Sequence, residues 1–266
     1  MTLPVPAVIV SAMVKGVLID IAGVVTSGET LLPGARAALA RLDAAGLPYR
    51  FVTNTTRKPV RALLAQFAAH DLDVARDHVF TPAQAAVAWL GGNGYAPHLL
   101  IHADLMKDFA PCRTTGPRAV VVGDAGPAFT YASLNAAFRQ IVDGAPFLAL
   151  ATNRVFRDTD GELSLDAGAF VTALEHASET SARVLGKPAP AFFAAAAASM
   201  ELKLSDVAMI GDDAEADVAG ALRAGAGTAL LVRSGKYRKG DEGRATPAPS
   251  ATVADIGAAV DRLLGP

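Results

Sequence analysis

Polar side chains follow several short apolar runs of this sequence, and their types suit phosphate and metal chemistry. They are Asp20, Thr53 with Asn54, Lys187, and Asp212 with Asp213. A carboxylate directed at phosphorus can act as a nucleophile, and carboxylates are the oxygen ligands that Mg²⁺ prefers. A lysine ammonium and a threonine hydroxyl suit phosphate oxygens. Together these groups predict a site for a phosphate and a hard cation.

Each group also has an ordinary structural explanation when it is taken alone. Asp20 could be a turn residue, Thr53 and Asn54 could precede a helix cap, and Lys187 could be a solvated loop charge. The stretch GDDAEAD at 211–217 could be an acidic helix start, which the helix dipole favours. Its Asp213 and Asp217 are four residues apart, so on a helix they would share a face, where a cation would relieve their repulsion.

The elements that must position these residues alternate between apolar runs and alanine-rich helical stretches. Strands are predicted at 17–21, 49–54, 207–212 and 228–234, and helices at 34–46, 59–71 and 215–226. This order is typical of a doubly wound, parallel α/β sheet. Because ligands bind beyond the carboxyl ends of such strands, the polar groups are expected to converge there.

The middle of the chain has its own strands and helices. Strands are predicted at 98–104, 119–125 and 147–153, and a helix at 131–142. We therefore predict a split core domain, 13–83 and 184–266, with a smaller α/β domain of residues 84–183 inserted as a cap. One continuous large sheet is the alternative. Residues 1–12 are interpreted as an N-terminal extension.

Four motifs resemble the haloacid dehalogenase superfamily of phosphatases. They are DIAG at 20–23, FVTN at 51–54, GKPAP at 186–190 and GDDAEAD at 211–217, and the resemblance covers nearly all of the chain from Met13 onward. The GKPAP phrase and the Thr-Asn pair point to members with a large α/β cap inserted between the second and third motifs. Within these, phrases such as VLGKPAPAFF and RSGKYRKGDE are similar to the phospholysine phosphohistidine inorganic pyrophosphate phosphatases and their hydrolase-domain relatives.

The resemblance implies a role for each motif residue. Asp20 would attack phosphorus and form an aspartyl-phosphate, and Mg²⁺ would be held by Asp20, the Ala22 backbone carbonyl and Asp212. Thr53, the Asn54 amide and Lys187 would hold phosphoryl oxygens, with Lys187 also catalytic. Asp213 and Asp217 would support the metal waters or orient Lys187.

Ala22 departs from the family pattern, because most of these phosphatases have an aspartate there that transfers protons. An alanine keeps the backbone carbonyl but loses the acid and base. Leaving groups that need little protonation, such as pyrophosphate or an already protonated phosphoramidate, would suit it. Two alternatives stay open: a weakened member that binds a phosphorylated ligand or a partner, and a phosphonate hydrolase, for which the insertion offers only Lys107 as a Schiff-base lysine.

Composition limits the other classes of function. The chain has 266 residues, a net charge of −2 and one cysteine, Cys112. Such a charge gives no basic surface for nucleic acid or for a membrane, and no stretch reaches the apolar length of a membrane span. A single cysteine indicates a reducing, cytoplasmic location.

A small phosphorylated substrate is expected to bind under the cap, with Tyr131 and Asn135 as candidate specificity residues. The resemblance also implies a homodimer.

Overall fold

The computed structural model describes residues 14–157 and 162–265. The predicted N-terminal extension, residues 1–12, lies outside the described residues. By density of contacts the chain divides into two compact units. One runs to Phe51 and resumes at Phe193, and the other is Val52–Phe192. The domain boundaries near residues 83 and 183 stay a prediction. Among the described residues, no helix has the length and apolarity needed to cross a membrane.

The secondary-structure elements alternate along the chain as the sequence pattern predicts. The described strands are β1 (Gly16–Asp20), β2 (Thr26–Ser27), β3 (Thr30–Leu31), β4 (Tyr49–Val52), β5 (Val79–Phe80), β6 (Ala96–Leu100), β7 (Arg118–Val122), β8 (Phe147–Ala149), β9 (Val155–Arg157), β10 (Leu163–Leu165), β11 (Arg183–Val184), β12 (Val207–Gly211), β13 (Thr228–Val232) and β14 (Ala251–Val253). The described α-helices are α1 (Ala35–Ala44), α2 (Val60–Ala68), α3 (Pro82–Asn93), α4 (Tyr131–Val142), α5 (Ala167–Ser178), α6 (Pro190–Ala198), α7 (Gly220–Ala224) and α8 (Ile256–Leu264).

The sheet of the first unit has the strand order β14-β13-β12-β1-β4. β12 lies between β1 and β13 and is parallel to both. Every residue of β1, β12 and β13 is buried. Their sequences are therefore continuous apolar runs, as expected for parallel strands that are covered on both faces.

The second unit contains a separate parallel sheet with the strand order β11-β8-β7-β6. Alternate residues of β7 face opposite sides: Val120 and Val122 pack in the apolar cluster that includes Ile141 of α4 and Val171 of α5. Val121 packs in another cluster, with α3 residues such as Leu90. Helices thus cover both faces of this sheet too, which confirms the predicted fold class, a Rossmann-like core with a second α/β part.

Helix starts in the second unit follow from local sequence. Thr81 begins α3 and Thr130 begins α4, and each threonine side chain accepts a hydrogen bond from the backbone N–H three residues on. In both cases the third residue's side chain, Gln84 or Ser133, accepts from the threonine N–H in return. Such reciprocal caps satisfy backbone donors that a helix start leaves unpaired. The helix predicted at 131–142 is observed with those bounds.

One detail of the sequence prediction is wrong. Lys187 is expected, like Asp20, to follow a strand of the core sheet, but the strand before it, β11, pairs with β8 in the second sheet. β11 has only two residues, so its pattern holds no information about its partner. Periodicity along one short segment does not specify which sheet a strand joins.

Candidate active site

Asp20 is the last residue of β1 and is only 6% exposed. The preceding apolar residues of the strand are buried, so the carboxylate is fixed at the carboxyl end of the sheet. After it, the backbone N–H groups of Val25 and Thr26 donate to the Ile21 carbonyl, which closes a tight turn. Ala22 lies exposed in this turn, and its methyl group has no atom that can transfer a proton.

Asp212 follows β12, the strand next to β1, and is 1% exposed. The parallel register pairs Ile19 with Ile210, so the two strands end at the same edge of the sheet. One carboxylate oxygen from each of Asp20, Asp212 and Asp217 lies within 4.8 Å of the other two. We call these three residues the acidic cluster. Its hard oxygen donors are of the type that Mg²⁺ prefers.

Asp217 enters this cluster from a π-helical segment, Ala214–Ala219, that leads into α7. Its carboxylate accepts the Asp213 N–H at 3.1 Å, and the residue is 1% exposed. Asp213 itself caps the segment by accepting from the N–H groups of Glu215 and Ala216. Asp213 therefore lies at the rim, and its side chain is 30% exposed. Asp213 and Asp217 therefore do not share one face of a helix, as the spacing suggested. Asp213 caps the helical segment, and Asp217 is a buried candidate for a metal ligand.

The electrostatics of the acidic cluster favour a cation. Burial, with the nearby Asp20 and Asp217 carboxylates, raises the pKa of Asp212 to about 8, against the opposing effects of the Lys236 N–H and ammonium. Among the described residues, Asp212 Oδ1 is buried without a hydrogen-bond partner. A buried carboxylate oxygen without a donor is costly. Bound Mg²⁺ would satisfy it, so the residues present fit this metal.

Two glycines allow backbone to approach Asp212. A Cβ on Gly23 or on Gly235 would lie 2.0 Å from Asp212 Oδ2, and both residues have positive φ, 91° and 65°. Ser234 Oγ donates to the Gly23 carbonyl at 2.6 Å, and the Lys236 N–H donates to Asp212 Oδ2 at 2.7 Å. Residues 234–236, which follow β13, therefore hold both the Asp20 turn and Asp212. The sequence analysis quoted this segment, within RSGKYRKGDE, only for its family resemblance and assigned it no role in the site.

The predicted phosphate-binding residues are joined in the second unit. Asn54 Oδ1 accepts the Lys187 N–H at 2.7 Å, and Asn54 Nδ2 donates to the Lys187 carbonyl at 2.7 Å. Lys187 Nζ donates to the Val52 carbonyl at 3.2 Å, and the residue is 3% exposed. Thr53 is 4% exposed, and its Oγ1 accepts the Thr55 N–H. Residues 133 positions apart in sequence are thus held together by two short hydrogen bonds.

A second polar group in this unit was not anticipated from the sequence. The Arg57 guanidinium donates to buried Asp124, which follows β7, and lies 4.1 Å from the centre of the Phe156 ring. Asp124 also accepts the Gly126 N–H at 2.9 Å. Asp124 could have been found from the sequence, because it is a polar residue that follows an apolar run, as Asp20 is.

The remaining predicted side chains lie at the surface or are part-buried. Tyr131, at the start of α4, is 84% exposed, and Asn135 one turn on is half-buried. Lys107 is exposed on the 3₁₀ segment Ala103–Phe109. Their roles stay predictions.

Comparison with known proteins agrees with this geometry. Residues 17–115 match the family model of haloacid dehalogenase-like hydrolases, and residues 184–259 match a second model of the same kind. The chain therefore belongs to the haloacid dehalogenase-like hydrolase family and is an enzyme, which confirms the predicted family.

Two relatives and one solved structure illustrate the similarity. Human haloacid dehalogenase-like hydrolase domain-containing protein 2 is 40% identical over 94% of this chain and 96% of its own length. The phospholysine phosphohistidine inorganic pyrophosphate phosphatase of Danio rerio is 39% identical over 94% of each chain. The magnesium complex of a glycerol phosphate phosphatase from Mycobacterium tuberculosis has a TM-score of 0.81 and 26% identity, over 93% of this chain and 77% of that one.

Proposed function

We propose that this chain is a Mg²⁺-dependent phosphohydrolase that acts on a small phosphorylated substrate through an aspartyl-phosphate on Asp20. The observation that carries the proposal is the acidic cluster, in which a strand-end carboxylate lies beside two further buried carboxylates. Asp20 and Asp212, with the Ala22 backbone carbonyl, would hold the metal, and Asp217 lies close enough to hold it or its waters. When bound, Mg²⁺ neutralises charge on the phosphoryl oxygens.

The chemistry assigned to this chain's residues has two steps. In the first, an Asp20 carboxylate oxygen attacks phosphorus, and the bond to the leaving group breaks with its electron pair going to that group. In the second, water attacks the same phosphorus and loses a proton to solvent, the bond to the Asp20 oxygen breaks with its electron pair returning to the carboxylate, and phosphate leaves. Thr53, the Asn54 amide and Lys187 are assigned to phosphoryl oxygens, where Lys187 offsets the charge that develops in the transition state.

Ala22 defines the substrates that suit this site. Because no carboxylic acid stands at that position, a leaving group must depart without its help. Pyrophosphate and phosphoramidates protonated on nitrogen meet this condition. The name of the Danio rerio relative, which includes phospholysine, phosphohistidine and pyrophosphate, supports the same substrate classes.

Phosphate release from a substrate panel tests this function. We expect purified protein to release phosphate from pyrophosphate or a phosphoramidate with Mg²⁺ and not with EDTA. Asp20→Asn should abolish turnover because an amide does not form the acyl phosphate. The matched control is Asp73→Asn, an exposed aspartate. An active Asp20→Asn enzyme would remove the nucleophile assignment, and a folded wild-type protein that binds phosphorylated compounds without hydrolysing them would favour the binding alternative.

Two further assignments belong to this proposal. The single cysteine, Cys112, supports a cytoplasmic location, because the chain does not depend on an internal disulfide. The homodimer rests on resemblance alone. Cell fractionation tests the first assignment, and light scattering on the purified chain tests the second.

A further inference from the structure

Residues 234–236 lie against Asp212 of the acidic cluster and against Gly23, in the turn after Asp20. The Lys236 N–H donates to Asp212 Oδ2 at 2.7 Å, and the Ser234 hydroxyl donates to the Gly23 carbonyl at 2.6 Å. A Cβ on Gly235 would lie 2.6 Å from Gly23 Cα, so only a glycine allows this approach. The backbone of Lys236 is therefore held beside Asp212 independently of the lysine side chain.

The Lys236 side chain places a cation at the rim of the same cluster. Its ammonium is 3.7 Å from Asp213 Oδ2, and the side chain is 63% exposed. Burial lowers the pKa of Lys236, but the carboxylates of Asp213, Asp217, Asp20 and Asp212 outweigh that effect and raise it. The Lys236 ammonium is thus a cation beside Asp213, on a residue whose backbone N–H is bonded to Asp212 of the acidic cluster.

We propose that Lys236 is a positioning residue and an internal counter-ion of the acidic cluster. It stabilises the metal-free protein by offsetting carboxylate repulsion, and it lowers the affinity of the cluster for Mg²⁺. This inference rests on the metal site of the proposed function and adds a residue to it. The backbone N–H fixes Asp212 Oδ2, which leaves Oδ1 for the metal, and the ammonium sets the strength of binding.

The direction of the effect follows from Coulomb's law. Mg²⁺ entering the cluster meets attraction from the carboxylates and repulsion from Lys236. The ammonium is largely hydrated, so the repulsion is moderate, and its removal should tighten Mg²⁺ binding about three- to tenfold. Without metal, the same change removes a compensating charge and should lower the melting temperature. A lysine that only packed against its neighbours would change stability and leave Mg²⁺ affinity alone.

Calorimetric titration of Mg²⁺ into EDTA-treated protein tests this proposal. Lys236→Met should bind Mg²⁺ about three- to tenfold more tightly than wild type and melt at a lower temperature without metal. Lys236→Arg, which keeps the charge, should restore both values. The matched control is Lys239→Met, which removes the same charge from an exposed lysine three residues away. All three variants keep the backbone N–H that holds Asp212.

Three results would overturn the inference. The first is a Lys236→Met protein that binds Mg²⁺ as weakly as wild type or more weakly. The second is an equal tightening in Lys239→Met, which would show an effect of net charge only. The third is a wild-type protein that does not bind Mg²⁺, which would overturn the metal site of the proposed function and this inference with it. If wild type binds Mg²⁺ and Lys236→Met does not bind it more tightly, only the role of Lys236 is overturned.

Discussion

Gly211 lies directly against Asp217: a Cβ on Gly211 would be 2.3 Å from Asp217 Cβ and 2.4 Å from its Oδ2. The last residue of β12 therefore has no room for a side chain, because a buried carboxylate occupies that space. This relationship joins the sheet edge to the helical segment that follows it, and through Asp217 to the acidic cluster.

Gly211→Ala should displace the Asp217 carboxylate and weaken Mg²⁺ binding by about tenfold or more, the usual scale for disturbing groups around a metal. Gly243→Ala serves as control, because a Cβ there meets no atom within 4 Å. Calorimetric Mg²⁺ titration of both variants measures the effect. Unchanged affinity in Gly211→Ala would remove Asp217 from the metal site.

Metal-free stability should depend on pH through Asp212. Its pKa is raised from 3.8 to about 8 in the folded protein, so between these values the folded state holds a proton that the unfolded state has lost. The contribution to the free energy of unfolding is complete below about pH 4 and is lost as pH rises through about 8.

Thermal melts of wild type and Asp212→Asn from pH 5 to 8 measure this dependence. Without Mg²⁺, the melting temperature of wild type relative to Asp212→Asn should fall as pH rises. With Mg²⁺, the increase in the wild-type melting temperature should be larger at pH 8 than at pH 6, because the metal binds the ionised carboxylate. Parallel curves for the two proteins would contradict this assignment.

Ala22 should make hydrolysis of the aspartyl-phosphate slow. A positioned acid or base contributes about 10²–10⁴-fold, which corresponds to about 3–5 kcal/mol of barrier. Rapid-quench kinetics should show a burst of leaving group equal to the enzyme concentration, followed by slow turnover.

Ala22→Asp should remove this burst and speed phosphate release from phosphomonoesters, because the new carboxylate can accept the proton of the attacking water. Ala22→Asn is the matched control, since it has a similar shape without the base. Fast wild-type turnover with no burst would mean that another group supplies the base.

Arg57→Met should destabilise the protein by about 1–3 kcal/mol, because buried Asp124 loses a charged hydrogen-bond partner. Arg61→Met, on the exposed face of α2, is the control. Denaturant unfolding of both variants measures the free energy. The double variant Arg57→Met with Asp124→Asn should recover part of the loss, and fully additive losses would show that the pair is not coupled.

Much of the fold followed from local patterns. The continuous apolar runs of β1, β12 and β13 identified buried parallel strands, since only strands covered on both faces lack alternation. The short strands were harder to predict from the sequence. The hairpin of β9 and β10 has exposed Val155, Leu163 and Leu165, so its sequence lacks the burial pattern that marks a strand.

The sequence by itself determined that carboxylates, a threonine and a lysine follow apolar runs, and that an alanine stands where the family has an acid. Tertiary structure decided which of them meet. Asp217 became a member of the acidic cluster because the turn after β12 folds its carboxylate over Gly211. Lys236 reached the cluster because the chain after β13 returns to Asp212 through Gly235. Asp217 meets Asp20, and Lys236 meets Asp212, from other segments of the chain. The energy of these contacts depends on distance and burial in space, which the order of residues does not contain.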